Sequence, residues 1–398
     1  VVAPNLPIGD RIRYHRRGRR QDVVAGLVGI SPDYLSQIER GLKVPSLPIL
    51  YAIATELGVP IAALFSEDFV SSTSPTDTTE PAVVQALMGY GPPRSTPVAE
   101  ARDLRERVES AWRSWQTSPS RFTDAAAALP QLIGDVEHSV RAHRAGSDVA
   151  VRRQVLGVAA DLYFLLRSYL RRTGRVDLSM MVADRAVRAA EDADDPLRIA
   201  AAQWNMGHAL LAANEPEGAE HIALRSIEEL EPRFADPECA AMAGALQLVA
   251  VVAAARRRDW WAARDRLTAK ARPAARAAGE GNVAWTAFGP TNVELHSVSI
   301  EVEAGEATEA LHMADAVDTS GLPSMERRFT FTLEVARCYD LRREDAAVLL
   351  HLLELEGLAP EDLARSPLGR SLVLGLVRRA RAMHARQAEG LAARIGLL

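Results

Sequence analysis

Within the first 66 residues, apolar side chains recur at helical spacing in short groups separated by turn formers. Ile8 and Ile12, with Tyr14, give an opening helix its inner face. Ala25 is a small residue at which a second helix can be crossed closely, and Gly29, four residues later, supplies the positive φ of a tight turn. Ser31 suits an N-cap, Pro32 fits a first helical position where no amide partner is lost, and Gly41 sits where a left-handed residue ends a helix of about nine residues. On that helix Leu35 and Ile38 point inward with Ile30 from the turn, leaving Asp33, Ser36, Gln37 and Arg40 outside. A fourth group, Leu47, Leu50, Ile53, Ala54 and Leu57, is stopped by Gly58, and Ile61, Leu64 and Phe65 form a fifth. The pattern predicts a five-helix domain over residues 1–66.

From Ser66 to Val98 the chain turns to Ser, Thr, Pro and Gly, which predicts a linker over 67–97, with Val83, Val84, Leu87 and Met88 forming one or two helical turns able to dock on either side. Two long amphipathic helices follow, Ala99 to Trp115 and Phe122 to His143. Beyond residue 150 the turns repeat. Each passes through Gly, Asn or Arg and resumes with a small residue five positions on: Gly174 to Ser179, Asn214 to Ala219, Arg258 to Ala263, Gly305 to Ala310 and Arg342 to Ala347. The small residues stand 40, 44, 47 and 37 positions apart, and periods of this size belong to stacked helical hairpins. The fold class is therefore all-α, a small five-helix domain followed by a helical-hairpin solenoid over 98–398.

Gln21, Ala25, Gly29, Ser31, Leu35, Ser36, Gln37, Ile38, Glu39, Gly41, Pro45, Leu50, Ala54, Leu57, Gly58, Val59 and Leu64 together resemble the Cro/lambda-repressor (Xre-type) helix-turn-helix family. The resemblance implies that Pro32, Asp33, Ser36 and Gln37 line the groove-facing side of a recognition helix and that Gln21 holds a phosphate. A Gln amide can bond adenine in two places and Asp can accept from cytosine, while Pro32 offers only an apolar contact. Arg19, Arg20, Arg40 and Lys43 are the cations expected at the backbone. In the array, Trp204, Gly207, Leu210, Ala219, Ala223 and Pro232 follow the order of a tetratricopeptide (TPR) repeat, and the region is similar to that superfamily in a degenerate form. The combination resembles bacterial regulators whose array binds a signal on its concave side and holds a dimer.

Charge agrees with this division. Residues 1–65 hold eight Lys and Arg against five acids, a net of +3, so the rest must carry -8 to reach the total of -5. Arg outnumbers Lys 45 to 2, a bias that points to a high-GC genome rather than to a function. At 48% hydrophobic and only 5% aromatic residues, the composition favours helix. Finding neither a run of eighteen apolar residues nor a secretory leader, we expect a cytoplasmic protein without a membrane partner. Cys239 and Cys338 lack metal or redox spacing and are expected to be buried.

The hairpin register turns Phe164, Arg171, Trp204, His208, Leu248, Arg256, Asn292, Leu295, Ser299, Thr332 and Tyr339 toward the concave side. A Gly-Pro pair opens a helix at Pro290 and sets Asn292 and His296 one turn apart, and Asn205 neighbours Trp204. Trp204, Asn205, His208, Asn292 and His296 are accordingly the candidates for a peptide or small-molecule ligand. The nine histidines are scattered, and neither a His-Glu-x-x-His pair, a Gly-rich phosphate loop nor a Gly-x-Ser-x-Gly elbow occurs, so no catalytic residue, metal site or cofactor is expected. These features predict a homodimeric transcriptional regulator on a pseudopalindromic operator. The alternative is a DNA-bound scaffold or antitoxin-type protein whose array docks a partner protein.

Overall fold

A computed structural model describes residues 8–16, 19–59, 61–64, 79–90, 97–144, 148–379 and 382–398. Arg17, Phe65 and most of the stretch read as linker, including Gly91, Pro92 and Pro93, lie outside the described residues. Contacts divide the chain into two units, Val1–Asp77 and Thr78–Leu398. Among the described residues every regular element is helical.

The first unit contains α1 (Ile8–His15), α2 (Gln21–Val28), α3 (Pro32–Glu39), α4 (Leu47–Leu57) and a 3-10 turn at Ile61–Leu64 in the place of the fifth helix. α2 ends at Gly29, whose φ of 77° and ψ of 27° would cost an ordinary L-residue about 1–2 kcal/mol. The Ser31 hydroxyl then accepts the Tyr34 amide at 3.1 Å and starts α3, with Pro32 at its first position. α3 has eight residues because Arg40 already leaves the helix and Gly41, at φ 73°, turns the chain away. Ile12, Val24, Ala25, Leu35, Ile38, Leu50, Ile53, Ala54 and Leu64 form the core. Tyr14 and Leu47 depart from the expected inner faces, at 41% and 65% exposed. Tyr14 follows Ile12 by two positions, which places it on the far side of α1, and Leu47 opens α4 a turn ahead of its buried residues.

The second unit runs through α5 (Pro81–Met88), α6 (Ala101–Thr117), α7 (Arg121–His143), α8 (Val149–Arg172), α9 (Val176–Ala193), α10 (Pro196–Ala212), α11 (Pro216–Leu230) and α12 (Pro237–Arg256). α13 (Trp260–Arg266) and α14 (Arg272–Ala278) are joined by a π turn over Leu267–Ala271. Then come α15 (Pro290–Ala304), α16 (Ala307–Ala314), α17 (Met325–Leu341), α18 (Asp345–Leu358), α19 (Pro360–Arg365), α20 (Pro367–Arg379) and α21 (Ala382–Arg394). α5 lies inside the stretch read as linker, yet it buries Val83 and Leu87 and packs on α7, so it is an element of this unit.

Five hairpins, α8/α9, α10/α11, α12/α13, α15/α16 and α17/α18, repeat one turn geometry. Gly174, Asn214, Arg258 and Gly305 have φ of 83°, 63°, 63° and 88°, and Ser179, Ala219, Ala263 and Ala310, five residues on, are fully buried at the crossing of the two helices. In the last hairpin the turn is Arg343, at φ 62°, and the buried residue is Val348. That corrects Arg342 and Ala347 by one position. α12 is long and apolar enough to cross a membrane by length and composition, despite Gln247 within it. Its apolar window is 78% buried against the helices around it, which accounts for its composition.

Candidate functional site

In the first unit the α3 side chains named from the sequence form one outward face. Asp33 and Arg40 are exposed and Ser36 and Gln37 half-buried. The Gln37 amide reaches back to the Asp33 carboxylate at 3.5 Å, and Arg40 donates through Nε to the Ser36 carbonyl at 3.3 Å. The Lys43 ammonium lies 5.3 Å from the centre of the Tyr34 ring. Behind this face, the buried Glu39 carboxylate accepts from Arg16 Nε at 2.8 Å, Arg16 Nη2 at 3.1 Å and Gln21 Nε2 at 2.9 Å, so the end of α3 is tied to α1 and α2. Arg20 pairs with Asp22 across an exposed surface, and Arg19 donates to the Glu56 carbonyl at 2.9 Å and pairs with its carboxylate.

In the second unit a cavity of about 260 Å³ opens between α6, α7, α8, α10, α12, the loop before α15, α15 and α17. Four of the chain's six tryptophans line it: Trp112, Trp115, Trp204 and Trp285. So do Arg121, Arg167, Arg171, Arg172, Arg256 and Arg327, and among the described residues the one carboxylate in the lining is Glu326. Arg171 Nη2 and Arg172 Nε each donate to Glu326 Oε1 at 2.9 Å. Fully buried Arg121 donates to Glu326 Oε2 at 3.2 Å and through Nε to Asp362 at 2.9 Å, with its guanidinium 4.3 Å from the Trp115 ring centre. Burial alone would raise the Glu326 carboxyl, but Arg172, Arg121 and Arg171 outweigh it and hold the pKa well below the usual value. Burial and neighbouring arginines push Arg167 down to about 9 and Arg171 to about 10.

His208 and His296 are neutral at physiological pH. Burial, reinforced by Arg167 and other cations, drives His208 well below the ordinary histidine value, and burial with Arg327 lowers His296 to about 3. A recess of about 10 Å³ shares Trp204, His208, Thr286, His296 and Arg327 with the cavity and adds Asn292. Asn292 is 1% and His296 9% exposed, and Asn292 Oδ1, His296 Nε2 and Arg171 Nε lack hydrogen-bond partners. Such groups are costly to bury and uncommon.

Residues 12–64 match the Helix-turn-helix family model. The helix-turn-helix match supports a DNA-binding regulator and covers the first unit from Ile12 to Leu64. No curated protein matches the chain. Among solved structures the chain is similar to one titled "Crystal Structure of Bacillus thuringiensis PlcR in complex with the peptide PapR7 and DNA", at 17% identity over 66% of this chain and 91% of that chain, with a TM-score of 0.27. A score of that size carries no inference from that protein to this one.

The helix-turn-helix unit thus places Asp33, Ser36 and Gln37 on α3 with Arg40 at its C-cap, whereas the Gln21 amide, given a phosphate by resemblance, is held by Glu39. In the second unit Trp204, His208, Asn292 and His296 converge although they come from α10 and α15. Asn205 does not line the cavity. Its Oδ1 accepts from Arg167 Nε at 2.8 Å and its Nδ2 donates to the Ala201 carbonyl at 2.8 Å, so it aims Arg167. The hairpin register places Arg171 and Arg256 inward but gives no sign of Arg121, Arg167, Arg172 and Arg327. Arg167, set among buried apolar residues of α8, carries a readable signal all the same, because a charge there needs a partner.

Proposed function

We propose that this protein is a sequence-specific DNA-binding transcriptional regulator, with α3 as its recognition helix and the helical-repeat unit as a TPR-like sensor that also holds a homodimer. The outward polar face of α3 on a capped and packed helix-turn-helix carries the reading. In it Gln37 contacts a base, Asp33 and Ser36 read beside it, Pro32 touches the groove through its ring, and Arg19, Arg20, Gln21, Arg40 and Lys43 attend the phosphates. One unit of this size makes too few contacts for tight specific binding, so two copies meet half-sites about one helical turn apart on a pseudopalindromic operator. Such work belongs to the cytoplasm and needs no catalysis.

The cavity supports a sensor over a scaffold, because it gathers polar groups without partners in a concave site rather than presenting a flat apolar face. The full chain, incubated with random duplex DNA through rounds of selection, is expected to enrich a pseudopalindrome. Operator affinity measured by fluorescence anisotropy should then change roughly 5- to 150-fold when the small-molecule fraction of a cell extract is added. Failure to enrich any sequence would contradict the regulator reading, and an unchanged affinity across extract fractions would favour the scaffold.

A further inference from the structure

We infer that the cavity of the helical-repeat unit takes a small planar acid, an aromatic body carrying a carboxylate or phosphate monoester, with the acid group on Arg327 and Arg171 and the ring against the tryptophans. The inference rests on the sensor reading and gives its ligand a chemical class.

Charge comes first. Six arginines line the site, and among the described residues the carboxylates bonded to them there are Glu326, shared by Arg121, Arg171 and Arg172, and Asp362 behind Arg121. Six cations against the two anions bonded to them leave an excess of four positive charges among these groups; Glu334 also acts on Arg327, but burial keeps its carboxyl partly protonated near neutral pH, and both histidines are neutral. Partly desolvated guanidiniums in such excess are costly unless an anion joins them. Burial first, and neighbouring arginines second, depress Arg167 and Arg171, and a bound anion would relieve the second cause.

Hydrogen bonding comes second. Arg171 Nε and His296 Nε2 are buried without partners, as is the Asn292 carbonyl oxygen in the adjoining recess. A guanidinium N–H and an imidazole nitrogen suit the oxygens of an acid group, while Asn292 Oδ1 accepts from an N–H or O–H on the ligand. Shape comes third. The Arg167 guanidinium already lies 5.4 Å from the centre of the Trp204 ring, and Trp285 stacks flat on Trp112, so flat surfaces bound the site. Its volume of about 260 Å³ suits a one- or two-ring molecule better than an extended peptide.

Isothermal titration calorimetry on the full chain tests this with four probes of one shape: 1-naphthoate, 1-naphthyl phosphate, 1-naphthalenemethanol and 1-naphthylmethylamine. The two acids are expected to bind at least tenfold more tightly than the alcohol, and the amine most weakly, with the tighter acid naming the natural head group. Arg327→Gln should weaken the acids at least tenfold and leave the alcohol unchanged, while Arg327→Lys keeps most of the affinity. Circular dichroism melting of both variants separates a loss of binding from a loss of fold. Equal binding of alcohol and acids, no binding by either acid, or indifference to Arg327→Gln in a folded variant overturns the assignment. Acids that bind as expected but leave operator affinity unchanged keep the ligand class and overturn the sensor reading.

Discussion

Trp285 stacks on Trp112 with ring centres 5.3 Å apart and planes within 3°. The stack pins a loop in which Ala284, Trp285 and Ala287 all have positive φ, 46°, 63° and 51°. Non-glycine residues in that region cost of order 1–3 kcal/mol each and persist only where their surroundings hold them. Gln116 helps, exchanging amide hydrogen bonds with Asn282 and donating to the Trp285 carbonyl at 3.2 Å. Phe288 anchors the far end over Gly244 on α12, where a Cβ would come within 2.2 Å of the ring.

Removing the stack with Trp285→Ala should release about 0.5–1.5 kcal/mol of holding energy. Amides of residues 283–288 are then expected to exchange with solvent roughly two- to tenfold faster, with α8 unchanged. Hydrogen exchange by mass spectrometry reads both segments at once. Unchanged exchange in the loop would mean that other interactions hold it.

Glu39 holds α3 in place through Arg16 and Gln21, and Glu39→Gln leaves the Arg16 guanidinium without its charge partner. The first unit should be destabilised by about 1.5–3 kcal/mol, the range for hydrogen bonds to a charged group. Exchange protection of α1, α2 and α3 should fall while α8 is unaffected. On the proposed reading, affinity for the selected site should drop more than affinity for random sequence, because α3 would carry the base contacts while Arg19 and Arg20 lie ahead of α2. Unchanged exchange protection and unchanged affinity for the selected site would show that Glu39 does not hold α3 in place.

A pH dependence follows from Glu334. Burial raises its carboxyl to about 7, against the opposing Ser299 hydroxyl bond at 2.8 Å, with Glu303 raising it and Arg337 and Arg327 lowering it; the Cys338 thiol feels the same charge. The folded chain therefore keeps a proton that the unfolded chain has released between the ordinary carboxyl range and pH 7. Stability falls as pH rises across that window and levels off above it. The thermal midpoint of Glu334→Gln should lack this component between about pH 5 and 7, and parallel profiles for the two proteins would refute the assignment.

The helix-turn-helix was legible because each of its signals is local: Gly29 for the turn, Ser31 and Pro32 for the cap, and Leu35 and Ile38 for the inner face all lie within ten residues. The hairpin turns were legible for the same reason up to Gly305 and Ala310. The one-residue slip at Arg343 came from side chains that carry no turn preference, since Arg342 and Arg343 are identical to a reader of sequence. The cavity was only half legible. Trp204, His208 and His296 follow from helical register, but Arg121 meets Glu326 and Asp362 across more than 200 residues, and no local pattern encodes such a pairing. The loop from Ala284 to Ala287 was hidden for a different reason, because neither alanine nor tryptophan announces a left-handed backbone.

Reading of bases by α3 is tested most directly by selecting binding sites from random duplex DNA with the full chain and with Gln37→Ala in parallel. Removal of the Gln37 amide should cost roughly 1–3 kcal/mol on the preferred site and relax one position in each half-site. Arg40→Ala, as the phosphate control, should weaken every sequence alike and lower the salt dependence. A selected motif that is the same for Gln37→Ala as for the parent chain, position by position, would contradict recognition through this face of α3.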